Sequence, residues 1–327
     1  MIERFTGPLG PTMLRYLELR RSLGSILRNA EQGLDDFDRY LAEHFPEAET
    51  VSRPMVTGYL ASLAHLERLS LCDRVSCLRQ FCRFLHQLNP DTYIPERSLV
   101  PAGTTRRKPH IYSERELALL LEEARRLPPA SSLRPHTYAT IIALLWVSGL
   151  RISEVLRLNL GDVDLGAGIL HVRQTKFSKS RLVPLAPSTT LALRRYLEAR
   201  AARGHDQSPH APFFVNERAR RCNCNTVQRT FLDMVRRVGF KTAQGTHPRL
   251  HDFRHTFATL TLGEFYRGGK DPGACLPLLA TYLGHANISH TQVYLHPSTH
   301  LLEAAGTRFR EHSRGAGSLA LEARDEG

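Results

Sequence analysis

Apolar residues recur at helical spacing from Met13 to Leu88. Met13, Leu14, Tyr16, Leu17, Leu19 and Leu23 form one stripe, and Leu34, Phe37, Tyr40 and Leu41 form a second at i, i+3, i+6 and i+7. The pattern repeats over 55–66 and over 75–88, the last through Val75, Leu78, Phe81, Leu85 and Leu88. Side chains three and four apart share a helix face, so each stripe requires an apolar partner. Four such stripes predict a small helical bundle. Cys72, Cys77 and Cys82 fall inside or beside the fourth pattern and read as small buried side chains.

The periodicity stops at 99–110, which contains Pro, Gly and the basic run Arg106-Arg107-Lys108. Such a segment reads as an interdomain linker. A second helical region then opens with Ser113-Glu-Arg-Glu116, a capping box ahead of Leu117 and Leu119–Leu121. A buried helix is predicted over 138–147, ended by Gly149. Short extended pieces follow at 163–165, 169–173 and 181–185, with a turn at Gly166-Ala-Gly168 and a loop over 176–180. Helices are predicted over 188–202, 226–238, 251–265, 275–283, 289–295 and 300–310. The Gly/Ala/Ser-rich end, 313–327, reads as frayed. The expected fold is mainly α with a small antiparallel sheet. Its parts are a helical domain (1–98), a basic linker (99–110), a second domain (111–312) and a tail (313–327).

Composition fits that plan. The chain has 327 residues, 42% apolar and 23% charged, as globular domains do. No apolar stretch approaches the roughly 20 residues of a bilayer crossing. The start, Met1-Ile-Glu-Arg4, carries no signal-peptide pattern, so a cytoplasmic protein without membrane association is expected. Net charge is +12, of which 1–110 carries +2 and 111–327 carries +10. That asymmetry favours a polyanionic partner. Cys222-Asn-Cys224 lacks a second pair at zinc spacing, so no structural metal is expected.

Three clusters carry candidate chemistry. In Gly149-Leu-Arg151-Ile-Ser-Glu154 an arginine follows a helix-ending glycine, and its guanidinium fork fits two phosphate oxygens. Glu154 lies three residues on and is placed to hold it. In His251-Asp252-Phe-Arg254-His255, His251, Arg254 and His255 share a face at i, i+3 and i+4. A histidine beside an arginine suits a phosphoryl site, one handling protons and the other oxygen charge. His251 and His255 also have the spacing of a zinc-protease helix, but Asp252 replaces the required glutamate and Arg254 would stand beside the metal. In Leu283-Gly-His285-Ala-Asn-Ile-Ser-His-Thr-Gln-Val-Tyr294 a tight turn precedes a short helix, and a tyrosine hydroxyl among cations can attack phosphorus.

Taken in this order, the clusters resemble the tyrosine recombinase (phage integrase-type) family over 109–310. The family's Gly-Leu-Arg-x-Ser-Glu falls on 149–154. Its hairpin lysine before Arg-x-Val-Pro-Leu falls on Lys176 before Arg181-Leu-Val-Pro-Leu185. Its His-x-x-Arg falls on His251 and Arg254, its Leu-Gly-His on 283–285, and its nucleophile on Tyr294. Lys179, in the same loop, stands as the alternative to Lys176. The stretch between Thr259 and Leu283, with Gly268-Gly-Lys-Asp-Pro-Gly273, is longer than the family's usual spacing.

The resemblance implies a site-specific recombinase or integrase that cuts and rejoins duplex DNA through a 3′-phosphotyrosyl link, without cofactor, metal or ATP. The catalytic residues would be Arg151, Lys176, His251, Arg254, His285 and Tyr294, with Glu154 and Asp252 in support. Duplex contacts would come from Arg74, Arg79, Arg83, Arg106, Arg107, Lys108 and Lys179. The partners implied are double-stranded DNA, other copies of the chain in a homotetramer on paired sites, and partner recombinases. A mobile element is the expected setting. The alternative is a DNA-binding accessory protein of the same fold that does not cut.

Overall fold

The computed structural model describes residues 5–24, 28–100, 108–173, 180–268, 271–284, 287 and 289–292. The chain divides into two compact units, Met1–Arg107 and Lys108–Gly327. The expected helix 300–310, the tail and Arg106 and Arg107 lie outside the described residues.

The first unit holds helices α1 (Gly10–Ser22), α2 (Arg28–His44), α3 (Arg53–Ser62) and α4 (Arg68–Leu88). Their stripes bury one another. Met13, Tyr16 and Leu17 meet Leu34, Phe37 and Leu41, Val56 and Tyr59, and Leu78, Phe81 and Leu85 in one cluster. Helix α4 starts near Arg68 rather than 75, because Arg68, Leu69 and Ser70 are exposed and no apolar stripe marks them. Helix α3 ends at Ser62 rather than 66: the Leu63, Ala64 and Leu66 amides donate to carbonyls three residues back, tightening the chain out of the α conformation. Of the three cysteines read as buried, only Cys82 is; Cys72 and Cys77 are half-buried. A five-residue step turns about 140° around a helix, so the three cannot share a face. Arg74 pairs with Asp36 at 2.7 Å and Arg79 donates to the Pro95 carbonyl at 2.7 Å, whereas Arg83 is exposed.

The second unit contains α5 (Glu114–Arg125), α6 (Arg134–Ser148), α7 (Ile152–Arg157), β1 (Val163–Asp164), β2 (Ile169–Val172), β3 (Arg181–Pro184), α8 (Pro187–Ala201), α9 (Cys224–Val238), α10 (Asp252–Arg267), α11 (Pro272–Leu283) and α12 (Ser289–Gln292). Helix α6 is central. Its Tyr138, Ile141, Ile142, Leu144 and Leu145 are buried, and it packs against α5, α8 and α10. The strands form an antiparallel sheet in the order β1-β2-β3, with Leu170 opposite Val183 and Val172 opposite Arg181. Leu170, Val172 and Val183 face the core.

Two segments differ from the sequence expectation. Helix α10 runs on to Arg267 rather than 265, and α11 starts at Pro272 rather than 275 because Asp271 caps it by accepting the Gly273 amide at 2.9 Å. The end of the expected linker is anchored to the second unit. His110 meets Glu116 at 2.9 Å, and Tyr112 stacks on Phe253 with ring centroids 4.2 Å apart. The Tyr112 amide donates to Thr256 Oγ1 and its hydroxyl to the Arg249 carbonyl. No helix among the described residues is long and apolar enough to cross a membrane.

The capping box at α5 is formed in both directions: Ser113 Oγ accepts the Glu116 amide and Glu116 Oε2 accepts the Ser113 amide. Ser113→Ala leaves one first-turn amide without its side-chain acceptor and is expected to lower stability by about 1 kcal/mol. Urea unfolding of the full chain measures this.

Candidate active site

The site is built around the C-terminus of α11. The last carbonyls of a helix have no partner within it and carry partial negative charge. Here three arginines from distant parts of the chain donate to three successive carbonyls. Arg181 Nε reaches the Tyr282 oxygen at 2.7 Å, Arg254 Nη2 reaches that of Leu283 at 2.7 Å, and Arg151 Nη2 reaches that of Gly284 at 3.4 Å. Gly284 ends the helix at φ +69°, in the left-handed region.

Arg151 is placed by the corner between α6 and α7. Gly149 terminates α6 at φ +58°, and a Cβ there would also lie 2.5 Å from the Phe257 ring. The chain then turns directly into α7. The Glu154 carboxylate accepts the Arg151 amide at 2.9 Å and its Nη1 at 2.8 Å. It also accepts Arg181 Nη1 at 3.1 Å and Nη2 at 2.9 Å. Glu154 is buried. Burial pushes its carboxyl upward, but the Arg181 and Arg151 interactions outweigh that and hold it below the usual carboxylate range.

The start of α10 supplies the other groups. The Asp252 carboxylate accepts the Arg249 amide at 2.9 Å and Arg249 Nη2 at 3.2 Å, which closes the turn carrying His251. His251 is the residue capping the helix, one position earlier than a first helical residue, and is solvent-exposed. Arg254 is 1% exposed, with Nη1 on the Gly149 carbonyl at 3.0 Å and Nη2 on that of Leu283. It is therefore not part of a polar helix surface. The His251 and His255 rings meet edge to face at 5.2 Å. Surrounding protein, then the charge of Arg254, pushes the His251 pKa below the usual histidine value. The half-buried His255 is lowered further, to about 4, by burial and then by His251. Both imidazoles are neutral at pH 7.

Arg151, Glu154, Asp252, His251 and Arg254 are thus gathered where α6, α7, α10 and α11 meet. Lys176, Lys179, His285 and Tyr294 lie outside the described residues, and Lys108 is exposed at the start of the second unit. The Asp252 carboxylate is committed to Arg249, and among the described residues no group of three His, Cys, Asp or Glu is arranged to hold a metal. Sequence reasoning missed Arg181 as a site residue, reading it only as the start of a strand. The period-2 rule contained the signal. Arg181 lies on the same strand face as the buried Val183, so its guanidinium points toward the interior and needs a carboxylate. Chemically, clustered guanidinium groups beside a neutral imidazole can bind a phosphate and accept a proton.

The sequence profile of the Phage integrase family matches residues 113–300. The chain is 39% identical to y4rB of Sinorhizobium fredii (strain NBRC 101917 / NGR234), provisionally described as an integrase/recombinase, over 90% of this chain and 94% of that protein. It is 30% identical to the tyrosine recombinase XerC of Pelobacter propionicus (strain DSM 2379 / NBRC 103807 / OttBd1), over 86% and 88% of the two chains. Among solved structures, the Tn1549 transposon integrase in complex with transposon right end DNA shares the fold. Its TM-score is 0.63 at 18% identity, covering 91% of this chain and 98% of that one.

The histidine pair makes a stability prediction. His255 has its folded pKa lowered from about 6.5 to about 4, so the unfolded chain binds the extra proton first as pH falls. Its stabilising contribution is complete above about pH 6.5 and is lost toward pH 4. The urea midpoint is expected to fall between pH 7 and pH 5, and His255→Gln is expected to flatten that slope.

Proposed function

The chain belongs to the phage integrase family, whose members are tyrosine site-specific recombinases that cleave and rejoin DNA, and on that premise we propose the following residue roles. Tyr294 attacks the scissile phosphorus. The tyrosyl O–P bond forms, the bond to the 5′ oxygen breaks, and a 3′-phosphotyrosyl link remains. His251 takes the tyrosine proton, a role suited to an imidazole kept neutral at pH 7. Lys176 gives a proton to the leaving 5′ oxygen, and Lys179 is the alternative donor. Arg151, Arg254 and His285 stabilise charge on the phosphate oxygens. A 5′ hydroxyl from a second strand then reverses the step. The energy of the broken bond is kept in the phosphotyrosine, so no ATP is required, and the arginines supply the positive charge that a metal would otherwise bring to the phosphate.

The observation that carries this reading is the convergence of Arg151 and Arg254 on the carbonyls of Leu283 and Gly284. The same peptide continues into His285 and, nine residues later, Tyr294. Guanidinium groups fixed on that helix end hold positive charge close to the chain that carries the nucleophile. Asp252 and Glu154 act by positioning Arg249 with the α10 start and Arg151, respectively.

Both units contact duplex phosphates in this proposal, through Arg83, the basic run 106–108 and the strongly basic second unit. The working assembly is a homotetramer on two paired sites, acting for a mobile element. Affinity carried by phosphate contacts falls linearly in log K against log salt.

A duplex nicked beside its cleavage site tests the chemistry, since the released fragment diffuses away and traps the intermediate. Wild type is expected to form a denaturant-resistant protein–DNA adduct in the presence of EDTA, and Tyr294→Phe none. Arg151→Ala is expected to slow adduct formation by about 10²–10³. An adduct formed equally by Tyr294→Phe would remove the assigned nucleophile. Binding without any wild-type adduct would favour the accessory role.

A further inference from the structure

Arg181 stands outside the roles assigned above, yet it makes three of the bonds that hold the site together. Its Nη1 and Nη2 grip both oxygens of Glu154 at 3.1 and 2.9 Å, and its Nε holds the Tyr282 carbonyl at 2.7 Å. Its side chain is 12% exposed and that of Glu154 is 4% exposed. Gly284 leaves room for it: a Cβ there would lie 2.7 Å from Arg181 Nη1. An arginine buried this far with a parallel two-point grip is a built feature of the fold, not a surface ion pair.

The chemistry of Glu154 explains the need for it. This buried carboxylate adjoins Arg151, the guanidinium assigned to the phosphate. Alone, it would pair with Arg151 through both oxygens, cancel that charge and repel an incoming phosphate. Arg181 occupies both oxygens first. Arg151 is left with a single side-chain bond to Glu154, through Nη1, while among the described residues its Nη2 makes a long 3.4 Å contact with the Gly284 carbonyl. A bond at that distance is weak and is readily exchanged for a phosphate oxygen. Arg151, Arg181 and Glu154 together carry a net charge of +1, where Arg151 and Glu154 alone would carry none.

We propose that Arg181 is a positioning residue for strand cleavage: it neutralises Glu154 and so keeps the Arg151 guanidinium available to the scissile phosphate. The proposal rests on the assignment of Arg151 to that phosphate.

A double-mutant cycle between Arg181 and Glu154 tests it, read as the single-turnover rate of adduct formation on the nicked duplex and as DNA affinity by anisotropy. Arg181→Met keeps the stem and removes the charge. It is expected to slow cleavage by about tenfold or more while affinity changes by less than about threefold. In the Glu154→Gln background, where no charge needs neutralising, the same change is expected to cost less than about threefold. Arg181→Lys, which restores the charge, is expected to recover most of the lost rate. A purely structural role would give the same loss in both backgrounds and no recovery with lysine, and either result overturns the proposal. So does a wild-type cleavage rate in Arg181→Met. If Arg181→Met fails to melt cooperatively, the comparison rests on Arg181→Lys in both backgrounds; a loss of about tenfold in each overturns the proposal, and near wild-type rates support it. Absence of any adduct with the unmodified protein would instead count against the recombinase roles themselves.

Discussion

A helix end cannot satisfy its own last carbonyls, and at the end of α11 that deficit is met by three guanidinium groups brought from elsewhere in the chain. Arg151, Arg181 and Arg254 lie 133, 101 and 29 residues away from the carbonyls they hold. Each bond is charge-assisted, and each arginine is also tied to another element: Arg151 and Arg181 to Glu154 of α7, Arg254 to the carbonyl of Gly149 at the end of α6. The cluster is therefore a junction of α6, α7, β3, α10 and α11. It forms only when all five are in place, so the positive site and the tertiary structure of the second unit are a single cooperative object.

Concentrating positive charge in a protein interior is costly unless each group is bonded. The molecule meets this in two ways. Glu154 is shared, so one carboxylate steadies two guanidiniums while the sum stays positive. Arg254 is bonded to backbone oxygens, whose dipoles stabilise it without cancelling its charge. His251 and His255 answer the same field differently. Partial desolvation and nearby arginines lower both pKa values and so favour the neutral imidazoles. A neutral imidazole beside fixed cations has the polarity that proton removal from a phenol calls for.

Helix α10 shows how the fold supports this. Its first turn is buried on nearly every side, with Asp252, Phe253, Arg254 and Thr256 all inaccessible. The polar members are bonded to neighbours: Asp252 to Arg249, and Thr256 Oγ1 to the Asp252 carbonyl while accepting the Tyr112 amide. Stacking of Tyr112 on Phe253 closes the other side. The segment that leads in from the first unit is thereby fastened to the helix that carries the site.

The chain of residues alone determined most of the elements and singled out the candidate site residues. Helical stripes, the capping box at Ser113 and the glycines at 149 and 284 are local effects, written within a few positions of where they act. For the same reason Arg151, Glu154, His251 and Arg254 were legible, since each sits in a short motif whose spacing carries its meaning. The start of α4 was not, because an exposed helical turn needs no apolar stripe. Nor was the anchoring of Tyr112, which depends on α10, about 140 residues away. What only the tertiary structure decided is which charge neutralises which. That Arg181 shares Glu154 with Arg151, and that Arg254 is buried on two carbonyls, follows from the meeting of surfaces far apart in the chain. Coulomb and hydrogen-bond energies depend on distance through space, and no local pattern encodes that distance.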